Sequence, residues 1–273
     1  MGPAASFTEP AGPSAAILPA MPQRTNILIT GASAGLGERM AHEFAARGRN
    51  LTLAARRLDR LEAVRADILA AHPGVTVAVR QLDVTDHQQV FEVFKAFDDD
   101  LGGLGGLDRV IVNAGGGKGR SIGTGGFADN SANVSLNFVA ALAQCEAAIE
   151  LFRARSAGHL VVMSSMSAVR GLPRHMTTYG AAKAGVAALA EGIRADLLRT
   201  PIRVSTIYPG YIVSEGNRPD PRNKLMVSTE KGVASIVRAI ERERRDAMVP
   251  AWPWVPLGVL MRVAPLGLVA RFL

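Results

Sequence analysis

Cysteine is nearly missing from this chain: Cys145 is the one thiol in 273 residues, so no disulfide can form within it. A lone thiol fits a reducing compartment, and a cytoplasmic location is expected. The five histidines stand far apart, at 42, 72, 87, 159 and 175. They offer no metal-ligand spacing, and no metal is expected. Acids are fewer than bases, 24 against 31, which leaves a net charge of +7. The bases are spread along the chain, with a modest concentration between Arg218 and Arg245 where acids are interleaved. That pattern reads as a solvated helix face, and without a recognisable module no nucleic-acid partner is expected. Residues 1–22 lack both a charged start and a long apolar run. They read as a disordered extension rather than a signal peptide, with Met21 as an alternative start.

What is present is alternation. Short apolar runs at 26–30, 50–55, 75–82, 108–112, 159–164, 202–208 and 246–249 alternate with helical stretches near 36–48, 58–72, 86–99, 126–155, 177–200 and 229–245. Strands that are apolar throughout belong to a parallel sheet covered on both faces, and parallel neighbours need crossover helices. The expectation is a single α/β domain over residues 23–249, a doubly wound parallel sheet of about seven strands with helices on both faces. Ligands of such sheets sit at the carboxyl ends of the strands.

The first strand runs into Thr30-Gly31-Ala32-Ser33-Ala34-Gly35-Leu36-Gly37. Gly31 permits a tight turn, Gly35 lets backbone approach a pyrophosphate, and Gly37 lets helix and strand pack closely. The helix beginning near Leu36 offers free N–H groups and partial positive charge to phosphates. A glycine turn without a ligand is the plain alternative. The second strand ends in Arg56-Arg57, with no acid there. A dinucleotide site that selects a ribose 2′-hydroxyl places an acid at this point, and one that selects a 2′-phosphate places arginine. Guanidinium pairs with phosphate through charge-assisted hydrogen bonds. Arg56 is the first candidate, with Ser33 and Arg57 beside it, against the reading that both arginines are solvated helix-start residues.

Further along, the sequence YGAAK at 179–183 puts Tyr179 and Lys183 at i and i+4, on one face of a helix. Free tyrosine titrates near ~10 and free lysine near ~10.4. A neighbouring ammonium favours the phenolate and brings the tyrosine toward working pH, where proton transfer is efficient. On spacing alone the pair reads as two surface side chains. That changes because Ser164-Ser165 ends the fifth strand, fourteen or fifteen residues upstream.

The TGxxxGxG turn, Asn113-Ala114-Gly115 after the fourth strand, serine at a strand end and YxxxK on the next helix together resemble the short-chain dehydrogenase/reductase family, over about residues 25–215. The resemblance implies a Rossmann-type fold, an NADP(H) cofactor, and interconversion of a small-molecule carbonyl and alcohol. It makes Ser165 the catalytic serine, ahead of Ser164 and Ser167, at one residue more than the family's usual distance from tyrosine. Asn137 becomes the fourth catalytic residue, which positions a relay water, and Lys183 also holds the nicotinamide ribose. Asp83 and Val84 become adenine contacts, although Asp83 could instead cap the next helix. Val112 stands where the family often has a second asparagine. Pro209, Gly210 and Ile212 become contacts near the nicotinamide; Ser214 stands where threonine is common, and Glu215 to Val227 become a mobile lid. A homodimer or homotetramer through the long helices is implied. The rival functions are a noncatalytic NADP-binding sensor and a membrane-associated scaffold.

Residues 250–273 hold both tryptophans, four prolines and two arginines. Pro253, Pro256, Pro265, Arg262 and Arg271 interrupt what otherwise tempts a transmembrane reading. Besides a span, two readings stand: a cover over the substrate cleft or a neighbouring subunit, and an amphipathic segment anchored in a membrane interface by Trp252 and Trp254. An apolar cover favours a lipophilic substrate such as a steroid, a retinoid or an acyl ketone.

Overall fold

The computed structural model describes residues 23–271, apart from 118, 216, 218 and 220–222. The extension expected at 1–22 lies outside them, as do residues 272 and 273. Seven strands form one sheet: β1 (Asn26–Thr30), β2 (Asn50–Ala55), β3 (Val77–Gln81), β4 (Arg109–Val112), β5 (His159–Met163), β6 (Arg203–Pro209) and β7 (Asp246–Val249). Their order is β3-β2-β1-β4-β5-β6-β7, and every pairing is parallel. The chain leaves β1 toward one edge and returns to β4 on its other side, so a crevice opens where these two strands end.

The strands are buried on both faces because alternate side chains enter two separate cores. Ile27 and Ile29 of β1 pack with Met40 and Phe44 of α1 (Gly35–Ala45), Ile68 of α2 (Leu58–Ala71) and Ile236 of α7 (Thr229–Glu241). Leu28 packs on the opposite face with Phe94 of α3 (His87–Asp100), Phe152 of α5 (Ala140–Arg155) and Val186 of α6 (Thr177–Asp196). Each large apolar side chain buried this way contributes about 1.5–3 kcal/mol.

At the amino ends of the strands, a buried polar cluster closes the sheet. Arg109 is 1% exposed, pairs with Glu241 at 2.5 Å and donates from Nε to Nδ1 of His159 at 3.0 Å. Nε2 of His159 then faces Ser205 Oγ at 2.8 Å. Burial, reinforced by the charges of Arg109, Arg24 and Arg203, holds His159 well below the usual histidine range. Its neutral ring accepts from arginine at one nitrogen and donates to serine at the other. The carboxyl ends are left as the open end of the sheet.

Three expectations are corrected. The stretch 126–155 is not one regular helix: α4 (Phe127–Val134) is joined to α5 by a π-helical turn, Ser135–Val139. The helix expected to reach 200 ends at Asp196, just ahead of Thr200-Pro201, because the residue before a proline resists helical backbone. The one expected to reach 245 ends at Glu241, and Glu243 at φ 44° turns the chain away.

The tail folds into α8 (Ala251–Val263) and α9 (Leu266–Arg271). Trp254 is 3% exposed and Trp252 is 77% exposed, so the two tryptophans have different surroundings. Trp254 rests on Gly210, where any side chain would overlap the indole, and meets the Tyr211 ring edge-on at 5.4 Å. Gly258 lies against Met248 and Met166, and Arg170 donates to the carbonyls of Met261 and Arg262, both at 3.0 Å. The outward side of the tail exposes Val255, Val259, Leu260, Val263, Leu266 and Leu268. At 13 residues α8 is too short to cross a bilayer. Among the described residues, the helix long and apolar enough for that is Phe127–Arg155, whose residues Ala140, Ala148 and Phe152 are in the core.

Candidate active site

The site grows from the turn after β1. Gly31 and Gly35 take φ of 66° and 61°, backbone that residues with a Cβ rarely adopt. Gly37 has an ordinary φ, but a Cβ there would overlap the Gly31 carbonyl oxygen and stand 2.8 Å from Asn113 Nδ2. The turn is stitched to the end of β4. Backbone N–H groups of Asn113 and Ala114 both donate to Thr30 Oγ1 at 3.0 Å, and Asn113 Nδ2 donates to the Thr30 carbonyl at 2.8 Å. The start of α1, Gly35 to Gly37, lines the crevice beside this junction.

A cavity of about 800 Å³ runs from here across the sheet. Gly31, Ser33, Gly35, Leu36, Gly37, Arg56, Arg57, Asp83, Val84, Asn113, Ala114, Gly115, Pro209, Gly210 and Ile212 all line it, as do Ser165, Tyr179 and Lys183. The sequence expectation therefore assembles into one elongated groove, with the arginines at one end and the tyrosine at the other. Glycine, serine and two guanidinium groups offer a phosphate-bearing nucleotide a close backbone and positive charge, so the residues present fit a nicotinamide dinucleotide.

At the arginine end, Arg57 donates from Nε and Nη2 to Ser33 Oγ, both at 3.3 Å. Arg57 and Arg60 also face Glu215, at 3.4 and 3.2 Å. Hydrogen bonds from Arg57, then the charges of both arginines, hold the Glu215 carboxyl below its usual range. Arg56 is exposed and adds its charge near Asp83. Asp83 accepts from the Thr85 N–H at 3.0 Å and the Thr85 hydroxyl at 2.7 Å, which lowers its carboxyl. It does not cap α3; Asp86 does, accepting from the Gln89 N–H at 3.1 Å.

At the other end, Tyr179 and Lys183 lie one turn apart on α6. Gly180 brings that helix against the turn holding Ser165: a Cβ on Gly180 would stand 3.0 Å from the Ser167 carbonyl oxygen. Ser165 Oγ faces Ser167 Oγ at 3.2 Å and accepts from the Ser167 N–H at 3.1 Å. Ser164 is turned away, donating to the Lys183 carbonyl at 2.8 Å. Lys183 Nζ donates to the Met163 carbonyl at 2.8 Å, and burial brings its ammonium down to about 8.

The expected depression of the tyrosine is absent. Burial pushes the Tyr179 phenol up, and the neighbouring Ser165 hydroxyl opposes that in part. The ammonium is turned to the β5 backbone, and it is itself desolvated. Asn137 sits in the middle of the π turn, fully buried, and does not line the cavity. Its Oδ1 accepts from the Gly116 N–H at 2.9 Å, and its Nδ2 donates to the carbonyls of Gly116 and Asn133 at 2.8 and 2.9 Å. A Cβ on Gly115 would stand 2.9 Å from Asn137 Oδ1 and 3.3 Å from Lys183 Nζ, so that glycine keeps a notch open between the two polar groups.

Several lining residues had no signal in the sequence. Arg174 and His175, exposed beside Tyr179, form part of the cavity rim. Glu215 reaches Arg57 across 158 residues of chain, a pairing that no local pattern encodes.

Comparison with known proteins agrees with this geometry. The family model described as short chain dehydrogenase matches residues 25–224. An uncharacterised oxidoreductase of Mycobacterium tuberculosis is 49% identical over 249 residues, 91% of this chain and 97% of the relative. A short-chain dehydrogenase from Sphingobium yanoikuyae in complex with NADPH superposes with a TM-score of 0.75 at 25% identity, covering 86% of this chain and 92% of that one. A bulky-bulky ketone specific alcohol dehydrogenase from Comamonas testosteroni does so at 0.72 and 26%, covering 92% and 95%. A glycine turn, a groove for a nicotinamide cofactor and YxxxK facing a strand-end serine thus occur in a chain that belongs to the short-chain dehydrogenase/reductase family, as an oxidoreductase with a Rossmann-type fold.

Proposed function

We propose that this oxidoreductase uses NADP(H) to interconvert a carbonyl and a secondary alcohol on a lipophilic small molecule. The observation that carries this reading is the pairing, in one groove, of Arg57 seated on Ser33 at one end with Tyr179, Ser165 and Lys183 at the other. The cofactor, when bound, supplies or accepts the hydride. Tyr179 Oη delivers a proton to the substrate oxygen, and Ser165 Oγ turns from Ser167 to donate to that oxygen as charge develops on it. A phenol raised by burial holds its proton at neutral pH, which suits carbonyl reduction. Lys183 and Asn137 flank the notch at Gly115, where a water would pass a proton onward.

The selectivity is tested by steady-state kinetics on a panel of ketones and aldehydes with NADPH or NADH. Wild type is expected to prefer NADPH. Replacing both Arg56 and Arg57 with alanine is expected to lower kcat/KM for NADPH about tenfold to a hundredfold, the worth of a charged hydrogen bond at about 1.5–3 kcal/mol, with little change for NADH. Equal losses with both cofactors would remove the 2′-phosphate reading, and NADPH binding without turnover on any carbonyl would return the sensor reading.

The catalytic unit is read as residues 23–249, cytoplasmic, and paired or tetrameric through its long helices. The similarity to an alcohol dehydrogenase for bulky ketones supports a lipophilic substrate. Residues 250–271 contain no acid and present an outward apolar side with Arg262, which supports peripheral contact with an anionic membrane surface. The chain is expected to float with phosphatidylglycerol vesicles, and Val259→Asp with Val263→Asp to leave it in the soluble fraction. Equal flotation of both forms would refute the contact.

A further inference from the structure

The short segment after β6 carries a charge into the arginine end of the groove. Ser214 and Asn217 exchange backbone hydrogen bonds at 3.0 Å in both directions, and Asn217 Nδ2 ties back to the Ile212 carbonyl at 2.9 Å. Ser214 lies over the glycine turn, since a Cβ on Gly35 would stand 3.7 Å from Ser214 Cβ, and Glu215 follows it. Glu215 reaches Arg57 and Arg60, within the same cavity wall that contains Ser33.

We infer that Glu215 is a cofactor-specificity residue: its carboxylate occupies the anion position that the 2′-phosphate must take, and the two compete for Arg57. The inference rests on the NADP(H) reading above. An arginine already turned to Ser33 has one remaining N–H edge for an anion, and a carboxylate and a phosphate both demand that edge. A dianion entering beside an unmoved Glu215 would be repelled, so its arrival displaces the carboxylate. The displacement frees Glu215 from the start of α2. A 2′-hydroxyl makes no such demand, and NADH would leave the pair intact. Glu215 therefore weakens the binding of the phosphorylated cofactor.

The test uses the cofactor-free protein and calorimetric titration with 2′,5′-ADP, which carries the phosphate, and 5′-AMP, which does not. Glu215→Gln is expected to tighten 2′,5′-ADP about threefold, the scale of two exposed ion pairs removed, and to leave 5′-AMP unchanged. Unchanged or weaker 2′,5′-ADP binding in the variant, with wild type still favouring 2′,5′-ADP over 5′-AMP, overturns the inference alone. If wild type binds the two nucleotides equally, the 2′-phosphate reading falls and the inference with it.

Discussion

Tyr179→Phe is expected to retain fold and cofactor affinity and to lose about a hundredfold to ten-thousandfold in kcat, the contribution of a positioned general acid. The change removes one hydroxyl and leaves the ring, so the packing of α6 against the Ser165 turn stays intact. What disappears is the proton donor at one end of the groove. Tyr208 lies outside the cavity lining and is pushed up to about 12 by burial; Tyr211 lines the cavity but meets Trp254 edge-on. The measurement is single-turnover reduction of the best carbonyl, alongside direct titration with NADPH and thermal unfolding. A variant with more than about a tenth of the activity would fall outside the range for a lost acid and transfer that role to another group.

Gly37→Ala should damage the opposite end. The added methyl meets backbone, the Gly31 carbonyl, and a carboxamide already committed to Thr30. Neither can swing away, so α1 must retreat from the turn it closes. Overpacking of this kind costs about 1–3 kcal/mol, and for a chain of this size each kcal/mol lowers Tm by about 2–4 °C. The retreat also moves Gly35 and Leu36 in the cavity wall, so nucleotide affinity is expected to fall with stability. Gly74→Ala is the control: its Cβ meets nothing within 4 Å. Matching melting temperatures and nucleotide affinities in the two variants would mean that close packing at Gly37 has no special role.

Much of this was legible in the residues because the chemistry involved is local. Parallel strands such as VIV at 110–112 and LVVM at 160–163 announce themselves by unbroken apolarity, the pattern of burial on both faces. Glycines 31, 35 and 37 and the i, i+4 pair at 179 and 183 are likewise written at short spacing. The unread parts depend on distant neighbours. The π turn at 135–139 has no composition of its own, and it appears only where Asn137 satisfies both backbone groups of Gly116. The sign of the tyrosine shift is not legible in spacing, which reports that an ammonium is near but not that it is donating to the Met163 carbonyl and losing its own hydration. Trp252 and Trp254 look equivalent in sequence; the vacancy left by Gly210 is what draws one inward.

Helix α8 is held by side chains of the segment that follows Ser165. Met166 touches it at Gly258, and Arg170, four residues on, grips two of its carbonyls. Linkage makes such an attachment reciprocal. Whatever raises α8 from its seat must also loosen the serine's turn, and a molecule that steadies that turn must hold the helix down. The last stretch of the chain therefore bears on the Ser165 turn, so a deletion or a fused tag there is expected to disturb that turn.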